Sequence, residues 1–150
     1  MAKNENVAVI DFSDDDLNTQ DTADMVVVVG GKPTDWIWTF AGPGHPQTVE
    51  HNNRVARDAL HESRQHEQSR LNGKKVKLPD ESVEEVRDRN VQWIVARLIG
   101  WTPVRINGED YAFSQDNARK LLLDPRKPFL QQAIDFLTAD DSFTKRSAKI

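Results

Sequence analysis

Apolar residues alternate with polar ones along the first third of the chain and take up a helical spacing over the rest. Met25 to Val29 is an unbroken apolar run closed by Gly30 and Gly31, and Asp35 to Phe40 follows with an aromatic ring at every second position. β-Branched and aromatic residues favour pleated backbone, so both stretches read as strands, joined by a hairpin loop of moderate length over Gly30 to Thr34. Strand side chains alternate between faces. Trp36, Trp38 and Phe40 therefore share one face, and Ile37 and Thr39 the other. Val7 to Phe12 is a further short apolar run that reads as a strand. Ser13 to Asp24, acidic and rich in turn formers, reads as a linker with too little to bury.

Gly42 to Pro46 holds two prolines and two glycines, which removes donors and allows positive φ, so it predicts a corner with Pro46 as the first helical residue. Good helix formers run from Gln47 to Leu71. Val49, Ala56, Ala59 and Leu60 make a narrow stripe that ends at Leu60, and His61 to Arg70 is polar on every side. Such a helix lies in solvent or docks on another molecule. Asn72 to Lys75 is a break with Gly73 as helix stop.

Ser82 and Glu85 fit a capping box that opens a helix running to about Ile99, with Gly100 as a left-handed cap. Its buried stripe is Val83, Val86, Trp93 or Ile94, and Leu98, broadened by Val91 and Val95. Asn107-Gly108 is the signal of a type I′ hairpin. Ser114 caps the next helix, which ends before Asp124-Pro125. Pro128 starts the last, with Phe129, Ala133, Phe136 and Leu137 on one side. The hairpin should fold Trp101, Tyr111, Phe113, Leu121, Leu122 and Phe136 into one cluster.

The fold class is therefore α+β: a small N-terminal antiparallel sheet, a long helix, and a C-terminal helical module with one Asn-Gly hairpin. Residues 1–24 form an acidic strand and arm, and 25–143 a single domain. That domain divides into a hairpin and corner at 25–45, the long helix at 46–72 and a helix-hairpin-helix-helix module at 80–143. Residues 144–150 form a flexible tail.

Composition narrows the function. With 37% hydrophobic and 29% charged residues, the core must be small and some segments weakly ordered alone. No cysteine occurs, which excludes disulfides, thiolate metal sites and cysteine nucleophiles. The net charge of −4 offers no global basic face for phosphates, and Glu50, Asp58, Glu62 and Glu67 interrupt the positive face of the helix and loop that carry the basic residues from Arg54 to Lys77, so nucleic acid is not the expected partner. No apolar run is long enough to span a bilayer, and no signal peptide opens the chain, so no membrane partner is expected.

Candidate chemistry is sparse. All four histidines fall between His45 and His66, but His61 and His66 are five apart where a helical zinc motif needs four, and five residues turn the second ring about 140° away. Gly42 to Pro46 lacks the consecutive backbone N–H groups of a phosphate loop. Ser13 to Asp16 lacks the alternating oxygens of a calcium loop. No nucleophile elbow or paired carboxylates occur. The expectation is a protein that is not an enzyme and has neither cofactor nor metal. Trp36, Trp38 and Phe40 are either interface anchors or core buried under the long helix, since both faces of such a hairpin are apolar. With His45, Arg57 and Arg64 they form the candidate partner-binding set.

The order from Val91 to Phe143 resembles tail assembly chaperones of long-tailed bacteriophages. It carries a helix into Ile99-Gly100-Trp101, a short hairpin ending at Tyr111 to Ser114, Asn117 to Leu122, the proline after Asp124, and a final helix running to Phe143. The resemblance implies a phage morphogenesis factor that binds tape measure and tail tube proteins during virion assembly, some members also being made as longer frameshifted products. It implies location in the bacterial host cytoplasm or in the virion. A minor structural protein of the virion, in the tail or head-tail region, fits the same residues. A small regulatory or nucleic-acid-binding protein and an enzyme with a scattered site stay open, as does a homo-oligomer.

Overall fold

The computed structural model describes residues 8–73, 82–139 and 141–144. The expected tail beyond 144, Lys74 and Lys75 of the predicted break, and Val7 lie outside them. Strands β1 (Thr22–Val29) and β2 (Lys32–Ala41) pair antiparallel. Gly30 and Gly31 both take positive φ, at 61° and 78°, a backbone that side chains with a Cβ resist. The turn is therefore only these two residues, tighter than the predicted loop, and Lys32 to Thr34 join the strand. Pro33 is tolerated there because its partner Val28 directs its own N–H and carbonyl to the side chain of Gln132, both within 2.9 Å. A bulge lies between Val26 and Val28, where the Thr34 hydroxyl donates to the Val27 carbonyl.

Helix α1 (Pro46–Leu71) is capped by His45, whose Nδ1 accepts from the Gln47 N–H. Helix α2 (Val83–Arg97) begins at Ser82, whose hydroxyl accepts from the Glu85 N–H. It ends two residues before the sequence suggests. Leu98–Trp101 is a strand, β3, which pairs antiparallel with β2. Gly100 has no positive φ, so it is not a helix cap. The open edge of β2 outweighs local helix propensity there, because each ladder bond satisfies a backbone group the core would otherwise strand. The sheet order is β1-β2-β3.

β4 (Arg105–Ile106) and β5 (Glu109–Asp110) flank Asn107 and Gly108, both at positive φ as a type I′ turn requires. Helix α3 (Gln115–Leu123) is capped by Ser114, and α4 (Phe129–Thr138) completes the fold.

The sheet forms one layer, and α2, α3 and α4 pack together as the other. Trp38, Phe40, Val27, Ile94, Leu98, Val91 and Leu122 are the most deeply buried large side chains between them. Trp101, Tyr111, Phe113 and Phe136 pack around the same core as Leu121 and Leu122. The stripe of α2 is narrower than expected. Val91, Ile94 and Val95 are buried, while Val83, about two turns before Val91, is exposed. Residues 8–12 form no strand, and Val9, Ile10 and Phe12 point into solvent. Too short to bury a face alone, this run pairs with no strand among the described residues.

Candidate partner-binding surface

Trp36, Trp38 and Phe40 lie side by side on the inner face of β2, and each is at most 9% exposed. Phe129 of α4 meets Trp36 edge-on with centroids 5.4 Å apart, and Trp38 stacks on Trp101 at 5.3 Å. Phe136 covers Phe40. The expectation of these rings as interface anchors is corrected: they are core, covered by α4 and β3 rather than by the long helix. The indole N–H groups of Trp36 and Trp38 have no acceptor among the described residues, whereas Trp101 donates to the Tyr111 carbonyl at 3.1 Å. His45 is occupied as the cap of α1, a structural role.

The opposite face of the sheet is the open one. Val26 and Val28 on β1 and Ile99 on β3 are exposed there, Ile37 is half-buried, and the Thr39 hydroxyl donates to the carboxylate of its cross-strand neighbour Asp24. Period-two alternation predicts these side chains as a set, but not which set the helices choose. The larger aromatic face is chosen because it removes more apolar area from water.

The long helix presents the larger free surface. Thr48 is the one residue of α1 buried among the described residues. Its first turns are held by Gln47, which donates to the carbonyls of Ala96 and Leu98 at the end of α2. The α2-facing side carries Thr48, His51 and Val55, and His51 and Val55 line a cleft with Gln92, Val95 and Arg119. At about 100° per residue, Val49, Asn53, Ala56, Arg57, Leu60, Arg64 and Leu71 fall on the other side. Val49 and Leu60 are 43% and 52% exposed, so most of the apolar stripe read from the sequence faces away from its own domain.

Arg57 and Arg64 stand on this outward side, two turns apart. Neither makes a hydrogen bond or ion pair among the described residues, unlike Arg54, held by Glu50 at 3.3 Å, and Arg70, held by Glu67 at 3.4 Å. The result is a ridge of alternating apolar and cationic groups. His61 contacts Gln65 along the helix, and among the described residues no three His, Asp or Glu side chains converge as metal ligands. No helix among them is long and apolar enough to cross a membrane.

Two electrostatic features were not legible in the sequence. Arg97 is buried, donates from Nε and Nη2 to the Ala41 carbonyl, and lies over the Phe143 ring at 5.0 Å. Burial lowers its pKa from the ordinary arginine value. Asp124, at the α3–α4 corner, accepts hydrogen bonds from the Arg126 side chain, the Lys127 ammonium and the Arg126 N–H, which hold its carboxyl well below the usual carboxylate range. Both tie the chain to itself.

Comparison with protein-family models, with curated proteins and with solved structures finds no match to this chain.

Proposed function

We propose that this chain is a non-enzymatic assembly factor for a bacteriophage tail, a tail assembly chaperone in kind, that holds tape measure and tail tube proteins in the host cytoplasm through the outward side of α1. The observation that carries the reading is the helix itself. It runs for 26 residues, buries Thr48 alone, and turns Val49, Ala56 and Leu60 away from its own domain. Helical stability comes mostly from packing an amphipathic face, so a long ridge with apolar and unpaired cationic groups is built for a surface that another molecule supplies.

The open valine- and isoleucine-bearing sheet face adds a second adhesive area, and the resemblance noted above supplies the kind of partner, although Leu98–Trp101 is a strand and α4 ends at Thr138. The arginines supply the polar rim that fixes register, while Leu60 supplies the apolar anchor.

The test is affinity capture with the tagged chain from infected or lysogenic cells, read by mass spectrometry. Retention of tape measure or tail tube proteins is the expected result. Retention of capsid or portal proteins in their place overturns the chaperone reading in favour of a virion component.

A further inference from the structure

The N-terminal arm and the far half of α1 are chemically matched surfaces at opposite ends of the same helix. The arm carries Val9, Ile10, Phe12 and Leu17, exposed by 93%, 74%, 60% and 65%, interleaved with Asp11, Asp14 and Asp16. The outward side of α1 carries Leu60 and Leu71, both exposed, interleaved with Arg57 and Arg64, which have no acidic partner among the described residues. One surface is apolar and acidic, the other apolar and basic.

Their placement decides which copy supplies which. The arm is fastened near the start of α1. The Gln20 N–H donates to the Phe143 carbonyl, the Gly42 N–H donates to the Asp21 carbonyl, and Asp15 and Gln20 share a cleft with Gly44. A short 3-10 turn at Asp15–Leu17 shortens the arm's reach further. Arg57 and Arg64 lie about 17 Å and 27 Å along the helix from Pro46, at 1.5 Å per residue. Residues 8–12 span about 17 Å even when fully extended, a reach that matches the Arg57 distance and falls short of Arg64, so in one chain the acidic turn stays at one end of α1 and Arg64 beyond the arm. Antiparallel pairing of two α1 helices about a two-fold axis removes that separation. It lays each arm beside the partner copy's second helical half, and both contacts form at once.

We propose that this protein self-associates by reciprocal exchange, the acidic N-terminal arm of one copy lying on the Arg57–Leu60–Arg64 ridge of the other. The exchange covers the apolar groups that both elements leave in water, and its charge pairing fixes the antiparallel sense. It uses the ridge that the proposed function gives to tail proteins, which would displace the arm on binding; self-association is read on the purified chain alone, so its failure is distinct from failure of that reading.

The test is sedimentation equilibrium on the purified full chain over a concentration series at low and high salt, with thermal melts to confirm folding. All substituted positions are exposed. The wild type should dimerise, more weakly as salt rises. Arg57→Glu with Arg64→Glu should give a monomer, and so should Asp14→Lys with Asp16→Lys. Mixing these two folded monomers should restore a dimer, because each arm then meets a helix of opposite charge. A monomeric wild type, a dimer indifferent to both charge reversals, or a mixture that stays monomeric overturns the proposal.

Discussion

Arg97 reaches across from the last turn of α2 and donates to the carbonyl oxygen of Ala41 through Nε at 3.1 Å and Nη2 at 2.8 Å. Ala41 is the last residue of β2, where the chain leaves the sheet for the corner that starts α1. The Phe143 ring lies against the same guanidinium, and the Phe143 carbonyl receives the Gln20 N–H. One side chain therefore joins the sheet end, the helical layer, the C-terminal turn and the root of the arm.

Arg97→Ala leaves a buried carbonyl without its donor and removes a charge-assisted pair, so it should destabilise the fold by about 2–3 kcal/mol. Arg97→Lys keeps the charge but not the planar fork, and should recover only part of that loss. Urea unfolding of the three proteins checks the order. Equal stability of Arg97→Ala and wild type would contradict the role given to this contact.

Trp38 is fully buried between β3 and α4, whereas Trp101 is half-buried at the rim of the same cluster. Trp38→Ala should cost about 3–5 kcal/mol, and Trp101→Ala clearly less. Denaturant midpoints in the reverse order would place the rings differently from the structure.

At Gly42, an added Cβ would overlap the Gln20 carbonyl oxygen and press on the Asp21 carbonyl, both main-chain atoms that cannot swing aside. Gly42→Ala should displace the root of the arm and speed amide exchange at Gln20, with little change at Gly44, where a Cβ meets open space. Unchanged exchange at Gln20 would contradict this close approach.

His51 should titrate below the ordinary histidine value of 6.5, because its ring is partly buried against α2 and stands beside the Arg54 guanidinium. A histidine whose folded pKa is lowered contributes stability that is present above the unfolded pKa and lost as pH falls through the folded one. NMR titration of the His51 ring in the folded and urea-unfolded chain measures both values. A folded value equal to or above the unfolded one would contradict the assigned surroundings.

Local signals were legible where one residue type dictates one backbone state. Asn107-Gly108, Ser82, Ser114 and Pro46 all stand where their chemistry requires, and Pro128 immediately precedes α4. The pleat put Trp36, Trp38 and Phe40 on one face correctly. Which face the helices would cover depends on non-local packing, and the rings proved to be core. Leu98–Trp101 departs from the sequence expectation for the same reason: a stretch with helical spacing becomes a strand because β2 offers it an edge. Of the candidate partner-binding residues, Arg57 and Arg64 lie on open surface, while His45 and the three aromatic side chains serve the fold. The stripe on α1 was visible in the sequence, but its outward direction was not, because direction depends on which side Thr48 and His51 give to α2.

The central claim is that the outward side of α1 is where tail proteins bind. It is tested most directly by titrating the purified tape measure or tail tube protein recovered by affinity capture with wild-type chain and with Leu60→Glu, an exposed substitution that leaves the core untouched. The account predicts binding by the wild type and at least tenfold weaker binding by the variant, with the thermal midpoint unchanged. Equal affinity for the two chains would contradict it.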